Sequence, residues 1–160
     1  MQTNPFEPPS ELADTGAPVA VSSEWRGKKV YVPNHVGLAA FLGSPMAGAW
    51  LIGANYAALE RYGERTKALA GGFVATVVLF VVAAALPEGF PGTPIALAYT
   101  FGLRELARRL QGKDIEHVLV SGGAKHSAWR AAGIGVVCLV LFVSVFTVVY
   151  LMSTDVERAS

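Results

Sequence analysis

Residues 68–86, ALAGGFVATVVLFVVAAAL, decide the class of this protein. The stretch contains no charged residue, and as a helix rising about 1.5 Å per residue it would be about 28 Å long. That length matches the roughly 30 Å hydrocarbon core of a bilayer. A second uncharged stretch, residues 131–154, is longer and rich in Val, Leu and Phe. Both stretches predict spanning helices, and the chain is therefore expected to be an integral membrane protein.

The composition agrees with this class. Of the 160 residues, 52% are hydrophobic and only 16% are charged, against about 25% charged in a typical soluble domain. The net charge of +1 provides no attraction to nucleic acid, so we expect no nucleic-acid partner. The single cysteine, Cys138, excludes an internal disulfide framework, and we interpret it as a small packing residue.

The chain divides into three parts, and we predict an all-α fold. Residues 1–33 form a polar, Pro-rich tail that should be extended and disordered, because proline fixes φ and removes a hydrogen-bond donor. Residues 34–154 form a helical membrane domain, and residues 155–160 form a short tail. The domain should hold three strong or probable spans and one weaker membrane helix. The predicted segments are about 35–59, 68–86, 94–110 and 131–152.

The first segment is rich in small residues. Ala39, Gly43 and Ala47 lie four apart, a spacing that lets two helix backbones approach closely in lipid. Pro45 interrupts the hydrogen-bond ladder, so we predict a kink or, at the extreme, a re-entrant hairpin. Alternatively, the break is functional, and freed carbonyls or the Asn55 amide meet an ion or a partner helix. The predicted packing and kink residues are Ala39, Gly43, Ser44, Pro45, Ala47, Gly48 and Asn55.

The third segment begins apolar and becomes basic, and we expect it to end at Gly112. Its arginines can reach the membrane surface along their apolar stems, while the aromatic and basic pair before the last span should anchor that surface. This basic cluster would bind anionic headgroups, set the topology, or do both. The headgroup and topology residues are Arg104, Arg108, Arg109, Lys113, Trp129 and Arg130.

The basic residues also bear on orientation, because basic loops of membrane proteins stay in the cytoplasm. The loop 60–67 carries three basic residues and the stretch 104–130 carries six, whereas the turn 87–94 carries none. Three arrangements remain open. The first segment crosses and leaves the tail outside, or it forms a hairpin that keeps the tail and all basic clusters inside. In the third arrangement it crosses from an inside tail, and the third segment lies along the interface. The C-terminus lies outside in all three.

Two stretches resemble a known group of proteins. Phe41-Leu42-Gly43-Ser44-Pro45-Met46-Ala47-Gly48, followed by Asn55-Tyr56, resembles a family of small, uncharacterised bacterial multi-pass membrane proteins with an FLG-S/G-P-x-A-G stretch before an N-Y pair. His117, Gly122-Gly123, Ser127 and Trp129 resemble a second block of that family. The opening Asn4-Pro5-Phe6-Glu7-Pro8-Pro9 is similar to the NPYxPP leaders of many bacterial membrane proteins. The resemblance implies a bacterial inner-membrane protein and brings no activity or cofactor with it.

No catalytic, cofactor or metal site is predicted. His117 and His126 share one polar stretch, but only Asp114 and Glu116 lie near, whereas a metal site needs three or four suitably spaced donors. We interpret these histidines, and His35, as solvated or interfacial. The predicted spans contain no Asp, Glu, Lys or Arg, which argues against a proton-coupled transporter or a membrane-embedded acid–base enzyme.

We therefore predict a non-enzymatic adaptor or accessory subunit, in contact with the lipid bilayer and a membrane-protein partner. Its small-residue first helix would pack on the partner, and its Pro-rich tail would dock a protein as an extended segment. The alternative is a self-associating pore or small-solute transport component, a homo-oligomer formed through the same first segment. A lipid-modifying enzyme based on His117 or His126 would need a nucleophile or metal that the sequence does not offer.

Overall fold

A computed structural model describes residues 25–87 and 89–159 of the chain. In chain order these residues form β1 (Lys29–Val30), α1 (Pro33–Gly43), α2 (Pro45–Ala58), α3 (Tyr62–Ala85), α4 (Thr93–Val120), β2 (Ala124–Lys125) and α5 (Ala128–Ala159). The fold is mostly helical, as predicted, with the addition of one short pair of parallel strands that the sequence did not indicate. Residues 1–24 of the predicted tail lie outside the described residues.

The first predicted segment is divided into two helices at Ser44. Pro45 has no N–H and disfavours a helical conformation at the residue before it. Ser44 has φ 101° and ψ 167°, in a region of backbone conformation that is strained for any residue with a side chain. α1 therefore ends at Gly43, and α2 begins at Pro45, where the missing N–H removes no helical hydrogen bond.

α1 and α2 form an antiparallel hairpin. At its open end the Tyr31 N–H donates to Asn55 Oδ1 at 2.7 Å, and nearer the turn Gly48 lies against Ala40. The chain before α1 and the chain after α2 therefore leave from the same end of the molecule. Of the three arrangements that the charges leave open, this geometry corresponds to the hairpin.

The three longer helices surround the hairpin. α1 packs against α4 and α5, and α2 packs mainly against α3. Glycines allow the closest approaches: Gly43 lies on the backbone of Gly135 in α5, and Gly72 in α3 lies on Ala49. The core is therefore built largely from small side chains, as expected for helices that pack within lipid. Its fully buried apolar residues include Val36, Ala39, Ala40, Ala47, Leu51, Ala107 and Ala131.

We call the end at which the hairpin opens the polar end. It is formed by residues 25–32, 59–61 and 111–130. The strands pair here, with Val30 opposite Lys125. α3 and α5 lead away from this end, and α4 leads back to it.

Two helices are long and apolar enough to cross a membrane. They are Tyr62–Ala85, with a mean hydropathy of 2.4, and Ala128–Val145, with a mean hydropathy of 2.0. Only 11% of each apolar window is buried inside the protein, so these are not core helices of the kind found in soluble proteins. Their apolar side chains, such as Phe73 and Leu141, instead lie exposed on the surface.

The N-terminal boundary differs from the prediction. Residues 25–33 were assigned to the disordered tail, but Val30 is fully buried and Tyr31 is nearly so. Pairing of β1 with β2 and the contact of Tyr31 with Asn55 hold this segment in the fold. These contacts are long-range, so local composition does not reveal them.

The helices are also longer than the predicted segments. α3 begins at Tyr62, inside the predicted loop 60–67, and the backbone of α5 stays helical into the predicted tail 155–160, as far as Ala159. α4 continues past the expected end at Gly112 to Val120. A glycine costs a helix only about 1 kcal/mol, and in α4 the tertiary packing of the buried stripe offsets this cost. The stripe consists of Ala107, Gln111, Ile115 and Val118.

Candidate functional site

A buried amide network closes the open end of the hairpin. Asn55 Oδ1 accepts from the Tyr31 N–H at 2.7 Å, and Asn55 Nδ2 donates to the Tyr31 carbonyl at 2.8 Å. The same Nδ2 donates to Gln111 Oε1 at 3.0 Å, and Gln111 Nε2 donates to the Ile52 carbonyl at 2.9 Å. Asn55 is 1% exposed and Gln111 is fully buried. The network therefore joins the entry to α1, the last turns of α2, and α4.

This network has a clear structural role. Polar groups in a protein interior are costly unless they are hydrogen-bonded, and here the two side-chain amides are bonded to one another and to the backbone. Asn55 was predicted to make an interhelical hydrogen bond or to meet an ion or a partner helix. In the structure its amide is engaged by Tyr31 and Gln111 of its own chain.

Gln111 was not among the predicted residues. Its signal lies in helical spacing, since Gln111 follows the buried Ala107 by four residues and precedes the buried Ile115 by four. This buried stripe becomes recognisable in the sequence when the third helix is extended past Gly112. A polar residue in the middle of an otherwise apolar stripe is a candidate for a buried hydrogen bond.

Ion pairs tie the loops of the polar end together. Lys28 Nζ lies 3.0 Å from Glu60 Oε1, and Arg61 Nη1 lies 2.8 Å from Asp114 Oδ2. Most of these side chains are partly or largely exposed, so each pair contributes only about 0–1 kcal/mol. They add to the positioning of the loop after α2 rather than dominate its stability.

Three aromatic rings meet beside β1 and β2. The Tyr31 ring stacks on His126 at a centroid distance of 4.2 Å and meets His35 edge-on at 6.3 Å. The backbone N–H of His126 donates to the Val30 carbonyl at 2.9 Å, which continues the strand pairing. The sequence indicates no link between His35 and His126, because the two residues are distant along the chain.

The imidazoles of this cluster carry unsatisfied nitrogens. Nδ1 of His35 and Nδ1 of His126 are buried and have no hydrogen-bond partner among the described residues. Burial, followed by the charges of Arg130 and Lys29 and by His35, holds the pKa of His126 below its usual value of 6.5. The imidazole of His126 is therefore neutral at pH 7.

The predicted small residues lie inside the molecule. Ala39 and Ala47 are fully buried, and Gly48 faces Ala40 and Leu103 of α4. Gly43 is covered by α5. Their close packing is thus made with helices of the same chain, and this face of the first segment is not on the surface.

The predicted headgroup residues lie on the outside. The stem of Arg104 packs on Gly37, and Arg108 and Arg109 both pair with Glu105, at 2.9 Å and 2.8 Å. The remaining three, Lys113, Trp129 and Arg130, are exposed. Trp129 is 86% exposed.

An open apolar groove lies between α3 and α4. The two helices make few direct contacts with each other, and α2 forms the floor between them. Two adjoining hollows of about 300 Å³ and 340 Å³ meet at Ala75 and Leu103. A Cβ added at Gly71 or Gly102 would have no atom within 4 Å. We call this surface the α3–α4 groove; its lining includes Ala49, Ile52, Ala68, Gly71, Ala75, Val78, Val82, Gly102, Leu103 and Leu106.

A second apolar cavity of about 250 Å³ lies at the tip of the hairpin. Ser44, Thr76 and Tyr99 bring hydroxyl groups to its lining. The Phe80 and Phe142 rings stack at 4.5 Å and connect α3 with α5 beside it. In the described part of the chain, no group of three His, Cys, Asp or Glu side chains comes together to hold a metal ion.

Comparison of the chain with protein-family models, with curated proteins and with solved structures finds no match.

Proposed function

We propose that this protein is a non-enzymatic, multi-pass protein of the bacterial inner membrane that acts as an accessory subunit. In this proposal it receives one transmembrane helix of a partner protein in the α3–α4 groove. The observation that carries the proposal is the open space over Gly71 and Gly102 in a largely apolar groove, which has Glu64 and Lys67 at one end. The resemblance of residues 41–48 to bacterial membrane proteins supports the bacterial inner-membrane location.

Small residues favour a helix as the occupant of the groove. Helices associate in lipid by close packing, and glycine or alanine at the contact lets their backbones approach. Gly71 and Ala75 on α3 and Gly102 on α4 provide such positions on both walls. The corresponding small residues of the first segment are already covered by α4 and α5. The proposed docking surface is therefore the groove and not the first segment.

The proposed arrangement in the membrane has three crossings and one hairpin. α3, α4 and α5 would cross, whereas α1 and α2, about 16 Å and 21 Å long, are too short to cross individually and would enter and return. The polar end would face the cytoplasm, because basic residues there outnumber those of the turn between α3 and α4. The part of α4 that precedes Arg104 is short for a span, and snorkelling of the arginines would compensate.

Impermeant thiol labelling of intact cells checks this arrangement. In a Cys138→Ala background, Asn34→Cys and Gly63→Cys should both be protected, because the hairpin places them on one side. Gly92→Cys should be labelled. Gly63 and Gly92 have open space around them, so a cysteine fits without strain. Opposite labelling of Asn34→Cys and Gly63→Cys would exclude the hairpin, and inverted labelling of all three would reverse the proposed orientation.

Filling the groove tests the docking proposal. Gly71→Leu and Gly102→Leu place a bulky side chain in open space, so they should leave the fold intact while occupying the groove. A photoreactive residue at Leu106, in the groove wall, should give one discrete cross-linked species in native membranes. We expect each leucine variant to reduce the yield of that species about tenfold, because the added side chain prevents the close backbone approach on which helix association in lipid depends.

Gly133→Leu is the matched control, since Gly133 is also open but lies on α5. It should leave the cross-linked yield unchanged. An adduct of twice the chain mass would identify a second copy as the occupant and support the self-association alternative. The absence of any protein adduct at Leu106, with lipid adducts instead, would overturn the proposal.

A further inference from the structure

We propose that the polar end holds a site for one anionic phospholipid, whose phosphate is bound between the end of β2 and the first turn of α5. The site consists of Lys29, His35, Lys125, His126 and Arg130. It goes beyond the accessory-subunit proposal, because it lies outside the α3–α4 groove and requires no protein partner.

Unpaired positive charge is the first observation. Within the described residues, Lys29, Lys125 and Arg130 form no ion pair, whereas Lys28 and Arg61 at the same end do. Their side chains are exposed, so they are available to a ligand. A surface with several cations and no carboxylate partner among the described groups attracts anions.

The strand pair brings these charges together. Lys29 lies opposite Ala124 and therefore on the same face as His126, on which it acts, whereas Lys125 lies opposite Val30 and acts on His35. His126 follows Lys125 in the chain, and its backbone N–H donates to the Val30 carbonyl. Arg130 lies in the first turn of α5, where the helix dipole also favours negative charge; the N–H groups of Trp129 and Arg130 themselves donate to Ser127. The five groups come from β1, α1, β2 and α5, and no single stretch of sequence contains them.

The histidines supply the second observation. Each has a buried Nδ1 without a hydrogen-bond partner among the described residues. The charged groups that act on His126 are Arg130, Lys29 and His35, and Lys125 acts on His35. Protonation of either imidazole would add another cation to a site that already holds three. An anion at the site would compensate that charge. Among the described residues, no carboxylate does so.

The position of the site selects a lipid phosphate. Trp129, which is 86% exposed, stands between His126 and Arg130, and the apolar part of α5 begins just after them. Exposed tryptophan next to an apolar helix marks headgroup depth. At this depth the phosphate of an anionic lipid is the most abundant anion, and each nearby Lys or Arg strengthens its attraction.

The site should be sensitive to pH. The pKa of His126 lies below 6.5 in the folded protein because of burial and the neighbouring cations. Without an anion, the stability that this neutral imidazole contributes is complete above pH 6.5 and is lost as the pH falls through the lowered pKa. A bound phosphate raises that pKa, so by linkage lipid binding should tighten over the same fall in pH.

Lipid binding to the full-length protein in neutral detergent tests the inference. Native mass spectrometry would compare phosphatidylglycerol with phosphatidylcholine. We expect a preference for phosphatidylglycerol of at least about tenfold, and we expect Lys125→Gln with Arg130→Gln to remove about tenfold or more of its affinity. The control, Arg26→Gln with Lys67→Gln, removes the same charge from other exposed positions and should change the affinity less than about twofold.

Three outcomes would overturn the inference. The first is an equal loss of phosphatidylglycerol affinity in both double variants, which would indicate a diffuse charged surface. The second is the absence of any preference for phosphatidylglycerol. The third is displacement of the lipid by inorganic phosphate, which would indicate a site for a soluble anion. Repeating the measurement between about pH 7.5 and 5.5 adds a separate check. The affinity of the wild type should rise on acidification, and that of His35→Gln with His126→Gln should not.

Discussion

Replacing Asn55 with leucine should unfold the open end of the hairpin at a cost of about 3 kcal/mol or more. The substitution leaves the Tyr31 N–H, the Tyr31 carbonyl and Gln111 Oε1 without their partner. Each buried polar group that loses its partner costs about 1–3 kcal/mol. The midpoint of unfolding of the purified protein in mixed micelles of increasing SDS content measures this effect. Insertion should continue, because α3 and α5 keep their apolar character.

Asn34→Leu is the control for this prediction, because Asn34 is exposed and should shift the midpoint little. Gln111→Leu should destabilise the protein less, because Asn55 Nδ2 keeps its bond to the Tyr31 carbonyl and loses only the one to Gln111, while the Ile52 carbonyl, inside α2, loses the additional bond from Gln111. Because Asn55 and Gln111 share one network, the double variant should cost less than the sum of the single variants. Strict additivity, or a wild-type midpoint for Asn55→Leu, would show that the network does not clamp the hairpin.

Adding a single methyl group at Gly43 should have an effect of similar size. A Cβ at this position would overlap the carbonyl group of Gly135, which belongs to the backbone of α5 and cannot rotate away. α1 and α5 would have to separate, and overpacking of this kind costs about 1–3 kcal/mol. We expect Gly43→Ala to lower the unfolding midpoint strongly, and Gly43→Leu to prevent the hairpin from docking.

Gly133→Ala provides the matched comparison for Gly43→Ala. Gly133 lies on the same helix as Gly135, but a Cβ there would meet no atom within 4 Å. Alanine is favoured over glycine in a helix by about 1 kcal/mol, so this variant should be neutral or slightly stabilising. If both alanine variants lowered the unfolding midpoint equally, the effect would come from replacing glycine in a helix and not from the α1–α5 contact.

These two variants probe the features that distinguish a hairpin from a continuous first helix. Pro45 makes the break between α1 and α2, but a proline also permits a kinked helix that continues across the membrane. The return of the chain depends on contacts formed far from the break. Asn55 fastens the open end to Tyr31, and Gly43 lets α5 lie against the tip.

Much of the local structure was accessible from residue patterns. Two long uncharged stretches predicted the helices that became α3 and α5, and the Ser44-Pro45 pair predicted the interruption of the first segment. The ends of helices were less accessible. The charged residues 60–67 suggested a loop, but α3 begins at Tyr62, six residues before the predicted start at residue 68. This start lies beside the ion pair of Arg61 with Asp114 and beside contacts with the hairpin.

The candidate sites depended on the fold to a greater degree. Asn55 was singled out from the sequence, but its partner Gln111 was not, because the two are 56 residues apart along the chain. The cluster of His35, His126 and Tyr31 was missed for the same reason. Hydrophobic spacing identifies which residues are buried, but it carries no information about which distant side chain will meet them.

The sequence by itself determined that the chain has long apolar helices, a break at Ser44-Pro45 and basic residues concentrated on particular loops, because these follow from hydropathy, proline geometry and charge. Only the tertiary structure decided that the first segment turns back, that its small residues are covered by α3, α4 and α5, and that the α3–α4 groove remains open. The physical reason is that close packing and buried hydrogen bonds depend on the three-dimensional fit of distant segments. The hydropathy pattern along the sequence shows which helix faces are apolar, but not which of these faces pack against one another.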